Sequence, residues 1–346
     1  MGKPVVTANT ALLAHHGTEL FAAAKERGVP MYGEASVCGG IPILKTLRES
    51  LAADEITSLA GIINSAANTV LTRMDEDHIS QLEAMRIASE CGYTHADPAF
   101  DVDGIDAKHK LEILAAHLCG GDYPQGEILR EGIAEIGEKD FFYARKRNMT
   151  IKHLAIAERS ASGIGLRVHP VLLSRIHPLA SVRDHFNAVL LHGDAVGEVM
   201  LQGQGVGALP SASAVLADIV DIATRTVRAD LPKSLPHTRM TPVHSQDEIE
   251  SAYYLRTTVE DKPGILGDIA TIVGRQGISV SLASAELIPN ADGLGDIEIT
   301  VHKTREKLIR DAIADIDRLP GVRGKTRLLR IAEAPWSSIR RNAAPL

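Results

Sequence analysis

The sequence predicts an α/β chain in three parts: a short portion of a parallel sheet, a larger α+β middle with a mixed sheet, and a C-terminal ferredoxin-like βαββαβ unit. Three observations carry this reading. The first 35 residues alternate strand, helix and strand patterns. The middle combines long helical patterns with a later run of strand patterns broken by turns. Residues 229–250 hold three prolines and few apolar residues, as a linker does, and the order βαββαβ is complete over residues 251–332.

Taken in order, Pro4–Thr7 is a short strand, ALLAHHGTELFAAAKERG an amphipathic helix stopped at Gly28, and VPMYGEASV a second strand broken by Gly39–Pro42. ISQLEAMRIASECG reads as a helix stopped by Gly92, GYTHADPAFDVDG as a loop, and IDAKHKLEILAAHLCGG as a helix closed by Gly120 and Gly121. GIGLRVHPVLL, FNAVLLHG and VGEVMLQG read as antiparallel strands. SASAVLADIVDIATRTV is a strong helix, with Ser211 or Ser213 placed to cap it. Beyond the linker come a strand (YYLRTTVED), a turn and helix (KPGILGDIATIVGRQG), two strands (ISVSLASAEL, GDIEITVH), a helix (TREKLIRDAIADIDRLPG) and a last strand (VRGKTRLLRIAE). Residues 333–346 read as a tail.

Composition excludes several classes. The chain has 346 residues, 45% of them hydrophobic and 23% charged, at a net charge of −7, so no basic balance recruits nucleic acid. No apolar run is long enough to span a membrane, and the opening MGKPVVTANT lacks the regions of a signal peptide. Cys38, Cys91 and Cys119 show neither metal spacing nor a disulfide framework. The expectation is a cytoplasmic protein.

Four features invite chemistry. Asp106 and Lys110 stand at i and i+4 on one helix face; spacing alone favours a surface ion pair worth about a few tenths of a kcal/mol. Glu34 precedes the loop Val37-Cys38-Gly39-Gly40-Ile41 and reads equally as a cap for local N–H groups or as an oxygen ligand for a hard cation. Gly203-Gln204-Gly205-Val206-Gly207-Ala208 matches the dinucleotide fingerprint literally. Its surroundings are wrong, because the following helix leads into the Pro-rich linker rather than a second parallel strand. Gly264, in Asp261-Lys262-Pro263-Gly264-Ile265-Leu266, would let backbone approach a small ligand at a helix N-terminus.

The last of these segments resembles an ACT domain, which implies sensing of an amino-acid effector such as threonine. The blocks VVTANTALLAHHG, EASVCGGIPILKTLRES, GIINSAANTVLTRM, GYTHADPAFDVDGIDAKHKLEILA and GQGVGALPSASAVLADIVDIA, in that order, resemble the homoserine dehydrogenase family. The resemblance implies an NADP(H)- or NAD(H)-dependent oxidoreductase that interconverts L-aspartate 4-semialdehyde and L-homoserine. It implies Lys110 as proton donor, Asp106 beside it, and substrate contacts from His95, Asp101 and Asp106. It places Thr10, Asn64, Ser65, Gly92, Gly205 and Gly207 on the cofactor side, and a sodium ion on Glu34 and the carbonyls of Val37, Gly39 and Ile41. It implies a homodimer through the central sheet, or a higher homo-oligomer. On that pattern residues 1–35 are part of a Rossmann-type nucleotide-binding domain, completed by the helix near 209–228, and residues 36–208 form the catalytic and dimerisation domain.

The sequence departs from the family at four places. The opening strand and the true Gly-rich loop do not appear, which predicts weakened or absent cofactor binding. Thr10 stands where the family has lysine. Asn64-Ser65-Ala66-Ala67-Asn68 replaces a loop richer in Gly and Thr. His95 stands where the family has a substrate-binding glutamate. Two expectations therefore stand side by side: a working dehydrogenase, and a catalytically impaired homologue that keeps the scaffold and senses an amino acid through its ACT unit.

Overall fold

A computed structural model of the chain describes residues 2–119, 126–228, 241–288 and 293–332. They fall into two compact units. One runs to Pro170 and resumes from Ser174 to His244; the other holds Val171–Leu173 and begins again at Ser245.

The first unit opens as the pattern predicts. Strand β1 (Val5–Val6), helix α1 (Thr10–Glu26) and strand β2 (Met31–Tyr32) follow in order, and the two strands pair in parallel. Asn9 caps α1 by accepting the N–H of Leu12. β2 is shorter than expected, because Glu34–Ser36 already turn as a 3-10 helix. A short helix α2 (Ile43–Lys45) leads to β3 (Ile56–Ile62), which is buried on both faces and therefore shows no period-two signal. Helix α3 (Ser65–Glu76) starts at Asn64, whose side chain accepts from Ala67 N–H, and α4 (Gln81–Glu90) is capped by Ser80. The segment expected to be all loop contains one helical turn, α5 (Ala99–Val102), fastened because Asp97 accepts the N–H of Ala99. Helix α6 (Ile105–Leu118) follows Gly104, whose φ of 75° suits glycine and where a Cβ would lie 3.0 Å from the His153 ring.

The rest of this unit is the mixed sheet. Strands β4 (Leu129–Arg130), β5 (Met149–Ser160), β6 (Gly163–Ser174), β7 (Phe186–Gly193) and β8 (Gly197–Gln204) join β3 in the order β6-β5-β3-β7-β8, and α7 (Glu138–Lys146) precedes β5. β3 is antiparallel to both β5 and β7, β7 is antiparallel to β8, and β4 pairs in parallel with β6. Helix α8 (Ala208–Arg228) begins earlier than expected, with Ser211 N–H already bonded to the Gly207 carbonyl. Ser211 and Ser213 thus lie inside the helix rather than capping it. Of the expected linker, residues 229–240 lie outside the described residues. Val243 bridges to Ile164, and Gln246–Glu248 form a 3-10 turn, so its end is ordered structure. Residues 120, 121 and the tail also lie outside the described residues.

The second unit is the expected βαββαβ: β9 (Glu250–Glu260), α9 (Ile265–Arg275), β10 (Val280–Leu287), β11 (Leu294–Arg305), α10 (Glu306–Ile316) and β12 (Arg327–Ile331). The sheet order β10-β11-β9-β12 is antiparallel throughout. Alternate residues Tyr253, Leu255, Val259 and Ile297, Ile299, Val301 meet Ile269, Val273, Ile309, Ala312 and Ile316 in one core. Those spacings are two on the strands and three to four on the helices, as each periodicity requires.

An ion pair crosses this core. Arg330 and Glu306 are each 1% exposed, with Arg330 Nε 2.9 Å from Glu306 Oε2 and the Tyr253 hydroxyl donating to the same carboxylate at 2.8 Å. Removing one partner of such a pair strands a buried charge, which outweighs the loss of attraction. Arg330→Met should lower the stability of this unit by about 3 kcal/mol in denaturant melts. Arg310→Ala, which removes a half-exposed partner of the same Glu306, should cost under about 1 kcal/mol. Equal losses in the two variants would contradict this account.

Candidate active site

The site is built where β3 ends and α6 begins. β3 delivers Ile63 and Asn64 to the edge of the sheet, and α6 presents Asp106 and Lys110 on one face of its first turns. Lys110 Nζ lies 2.7 Å from Asp106 Oδ2 and donates to the Ile63 carbonyl at 3.0 Å. The pair is not on the surface: Asp106 is 2% exposed. Burial by itself lowers the pKa of Lys110, and the charge and hydrogen bond of Asp106 more than reverse it, so the amine is held as a cation.

Asn64 is the joint of the cluster. Its Nδ2 donates to Asp101 Oδ1 at 2.7 Å and to Asp106 Oδ2 at 2.8 Å, while its Oδ1 starts α3. Asp101 is 1% exposed, and its oxygens also receive the His95 ring Nδ1 at 2.7 Å and the His95 backbone N–H at 2.8 Å. Burial pushes Asp101 up, but the hydrogen bonds from His95 and Asn64 bring it below the usual carboxylate value. The same contact, with Asp101, raises His95 above the usual imidazole value. His95 Nε2 faces Asp106 Oδ1 at 3.9 Å.

The residues anticipated on the cofactor side lie around this cluster in varied roles. Ser65 Oγ shares its one proton between the His185 carbonyl at 2.9 Å and Asn187 Oδ1 at 3.0 Å, tying α3 to β7. A Cβ on Gly205 would lie 2.1 Å from the Asn187 side chain, and one on Gly39 would lie 2.7 Å from the Gly205 carbonyl oxygen, so both glycines serve close packing. Gly207 precedes α8 at φ 129°, and Gly92 at φ 72° ends α4. Thr10 Oγ1 donates to the Ser36 carbonyl at 2.7 Å and fastens the start of α1 to the Glu34 turn.

Glu34 is buried. Its two carboxylate oxygens accept the N–H groups of Leu44 and Lys45, each at 2.8 Å, and its own N–H donates to Asp218 at 3.0 Å. The capping role is therefore present. Burial, with a smaller contribution from Asp218, pushes the Glu34 carboxyl up to about 7. Of the anticipated carbonyl donors, that of Ile41 accepts from Ile43 N–H at 2.8 Å; those of Val37 and Gly39 stand in the same loop. Among the described residues no group of three His, Cys, Asp or Glu side chains is arranged to hold a metal ion. In the second unit, Gly264 opens α9 at φ 93° with open space where a Cβ would be.

Sequence reasoning missed Asn187, Asp218 and Cys38. Asn187 is a fully buried polar residue within an apolar strand pattern, which is itself a legible signal. Cys38 is buried at φ 57°, and burial pushes its thiol up to about 12.

Two carboxylates share one amide donor here, so removal of the amide is diagnostic. Asn64→Ala should cost about 2–4 kcal/mol, from two stranded acceptors and a lost helix cap. Asp101 is held below its unfolded value of 3.8, so its contribution is present above that pH and is lost as pH falls through the folded value. The acid-side rise in stability should therefore be smaller in Asn64→Ala than in the parent chain, measured by melts across that range; an unchanged rise would refute the shared-donor arrangement.

Comparison with known proteins agrees with this geometry. A family model for homoserine dehydrogenase matches residues 42–220, and one for the ACT domain matches residues 253–321. A homoserine dehydrogenase of Pseudomonas aeruginosa is 41% identical over 96% of this chain and 78% of its own length. One of Neisseria gonorrhoeae is 41% identical over 95% and 77%. The crystal structure of a homoserine dehydrogenase from Thiobacillus denitrificans superposes with a TM-score of 0.87 at 40% identity, covering 96% of this chain and 77% of that one. A hyperthermophilic archaeal homoserine dehydrogenase in complex with NADPH matches with a TM-score of 0.57 at 32% identity, covering 65% of each chain. With the buried Asp106–Lys110 pair in place and relatives aligned along nearly all of its length, this chain belongs to the homoserine dehydrogenase family and ends in an ACT domain.

Proposed function

We propose that the chain is an oxidoreductase that interconverts L-aspartate 4-semialdehyde and L-homoserine with a nicotinamide cofactor, and that Lys110 moves the proton. The observation that carries this is the Lys110 ammonium held as a cation by buried Asp106. Reduction of an aldehyde places negative charge on its oxygen; a fixed ammonium both stabilises that charge and protonates it. Asp106 orients the amine with one oxygen and leaves the other for the substrate.

Thr10, Asn64, Ser65, Gly92, Gly205 and Gly207 are the proposed cofactor-side residues. In support of the fit, α1 and α8 carry no acidic residue in their first turns, which leaves their N-termini attractive to phosphate. The cofactor, when bound, supplies or accepts the hydride. Residues 1–35 and the helix near 209–228 are proposed as the cofactor-binding part, and residues 36–208 as the catalytic and dimerising part of a homodimer, for which β8 is a terminal strand of the sheet. Gly264, at the open N-terminus of α9 with Asp268 in its first turn, is the proposed contact for an amino-acid effector such as threonine. No helix among the described residues is long and apolar enough to cross a membrane.

A sodium ion on Glu34 and the carbonyls of Val37, Gly39 and Ile41 is part of the same proposal. The buried Glu34 carboxylate keeps a lone pair on each oxygen beyond its two N–H bonds, and Asp218 adds negative charge at its back.

Two measurements test these roles. NADPH consumption with L-aspartate 4-semialdehyde should fall about 10²–10⁴-fold in Lys110→Met, measured at a temperature where the variant, destabilised by the stranded Asp106, is still folded; surviving turnover would remove Lys110 from the mechanism. Replacing sodium by tetramethylammonium should lower the melting temperature of the parent chain and leave that of Glu34→Gln unmoved. A parent chain indifferent to the exchange would dispose of the cation.

A further inference from the structure

Lys152, on β5, carries a charge into the interior and meets no opposite charge there. It is 3% exposed, and among the described residues no carboxylate forms an ion pair with it. Its Nζ donates instead to three neutral oxygens: the Val182 carbonyl at 2.6 Å, Asn68 Oδ1 at 3.1 Å and Thr72 Oγ1 at 3.4 Å, all on buried residues. Burial pushes the ammonium down to about 8; Asp75, Glu76 and Asp184 hold it up and Arg183 opposes them. A methionine would fill the same space without burying a charge. The acceptor count explains the lysine. Three oxygens need three N–H protons, and the ammonium brings three on one atom with no lone pair. A carbonyl, an amide oxygen and a hydroxyl are also the donors that suit a hard cation.

The ammonium orders what lies beyond it. It can meet only the oxygen of the Asn68 amide, which turns Nδ2 the other way. The two Nδ2 protons are shared among the carbonyls of Asp184 at 2.9 Å, Phe186 at 3.2 Å and Val182 at 3.3 Å. Thr72 Oγ1 donates to the Asn68 carbonyl at 2.7 Å, so its lone pairs face Lys152 and the Asp184 N–H, the latter at 3.2 Å. Asp184 stands at φ 51°, a conformation that residues with a Cβ rarely adopt, and depends on such contacts to keep it. Next along, the His185 carbonyl accepts from Ser65 Oγ at 2.9 Å and from the Gly205 N–H at 3.4 Å. Ser65, Asn68 and Thr72 are spaced by three and four on one face of α3. The helix thus meets residues 182–187 along one line, and Lys152 closes that line from β5.

We infer that Lys152 is a positioning residue: its ammonium serves as a tethered monovalent cation that locks residues 182–187 against α3 and so sets Ser65 and Gly205 on the proposed cofactor side. The lock touches neither Lys110 nor Asp106; it acts through Asn68 and the His185 carbonyl. This rests on the proposed function for the cofactor, but not for the lock itself.

The test is backbone hydrogen exchange of the full chain, read by mass spectrometry. In Lys152→Met, exchange over residues 182–187 and 203–207 should quicken about tenfold, the effect of one lost hydrogen bond, while β3 and α6 exchange as in the parent. In Lys152→Ala, n-propylammonium, which replaces the deleted atoms, should slow those two segments again; 1-propanol, of the same length with one proton to donate, should not. Thr72→Val, which keeps the shape and removes one of the three acceptors, should quicken the same segments and carries the test if the lysine variants do not fold. NADPH binding to Lys152→Met, by calorimetry, should weaken about tenfold, and the KM for NADPH should rise with it while the KM for L-aspartate 4-semialdehyde holds within about twofold. Unchanged exchange at the two segments, quickening spread evenly over the chain, or equal rescue by 1-propanol overturns the lock. Confined quickening with unchanged NADPH affinity overturns the positioning role. A parent chain that neither binds nor oxidises NADPH overturns the proposed reaction, and confined quickening then still upholds the lock.

Discussion

Two carboxylates that are almost wholly buried within one small cluster set the terms for the first unit. Asp101 and Asp106, at 1% and 2% exposure, share the single amide nitrogen of Asn64. A buried carboxylate without donors costs several kcal/mol, and two of them near one another cost more. The cluster survives because donors arrive from four directions: Asn64, the His95 ring, the His95 backbone and Lys110. With His95 protonated, the two carboxylates, the imidazolium and the ammonium sum to zero charge. With His95 neutral the cluster holds one net negative charge.

That balance depends on backbone geometry set by the sheet. Asn64 stands two residues beyond the end of β3, a strand buried on both faces, and is itself buried. Asp106 and Lys110 share a face because α6 begins at once after Gly104, where the chain turns through positive φ against His153. Moving the helix start by one residue would rotate the pair by about 100° and break all these contacts together.

Much of this was legible in the sequence, for physical reasons that differ by element. The C-terminal unit was readable almost residue by residue, because each strand and helix buries one face and so displays its period: Tyr253, Leu255 and Val259 on β9, Ile309, Ala312 and Ile316 on α10. β3 was not, because burial on both faces erases alternation. The spacing of Asp106 and Lys110 pointed to a shared face but to the wrong environment: a surface pair by periodicity, a buried one in the fold. Nothing in a pattern of i and i+4 reports what lies opposite. Asp97 capped its turn as its residue type suggests, whereas Ser211 and Ser213 did not cap α8, because the helix gained an earlier start at the Gly207 carbonyl. The Gly-rich run at Gly203–Ala208 shows the limit of motif reading: Gly205 is glycine because Asn187 occupies the space of its side chain.

Asn187 also links the Glu34 turn to the Asp106–Lys110 cluster. Fully buried, it accepts from Ser65 and fills the space beside Gly205; the Gly205 carbonyl in turn fills the space beside Gly39, in the loop that follows Glu34. From the other side, Asn68 donates to the carbonyls of Asp184 and Phe186, and buried Lys152, whose pKa burial lowers to about 8, donates to the Val182 carbonyl and to Asn68 itself. The segment from Val182 to Asn187 is thereby held along its length. Contacts this close leave no slack for one locus to shift without the other, since interiors at crystal-like density transmit displacement rather than absorb it. The Glu34 loop and the Asp106–Lys110 cluster are therefore joined through one run of buried contacts.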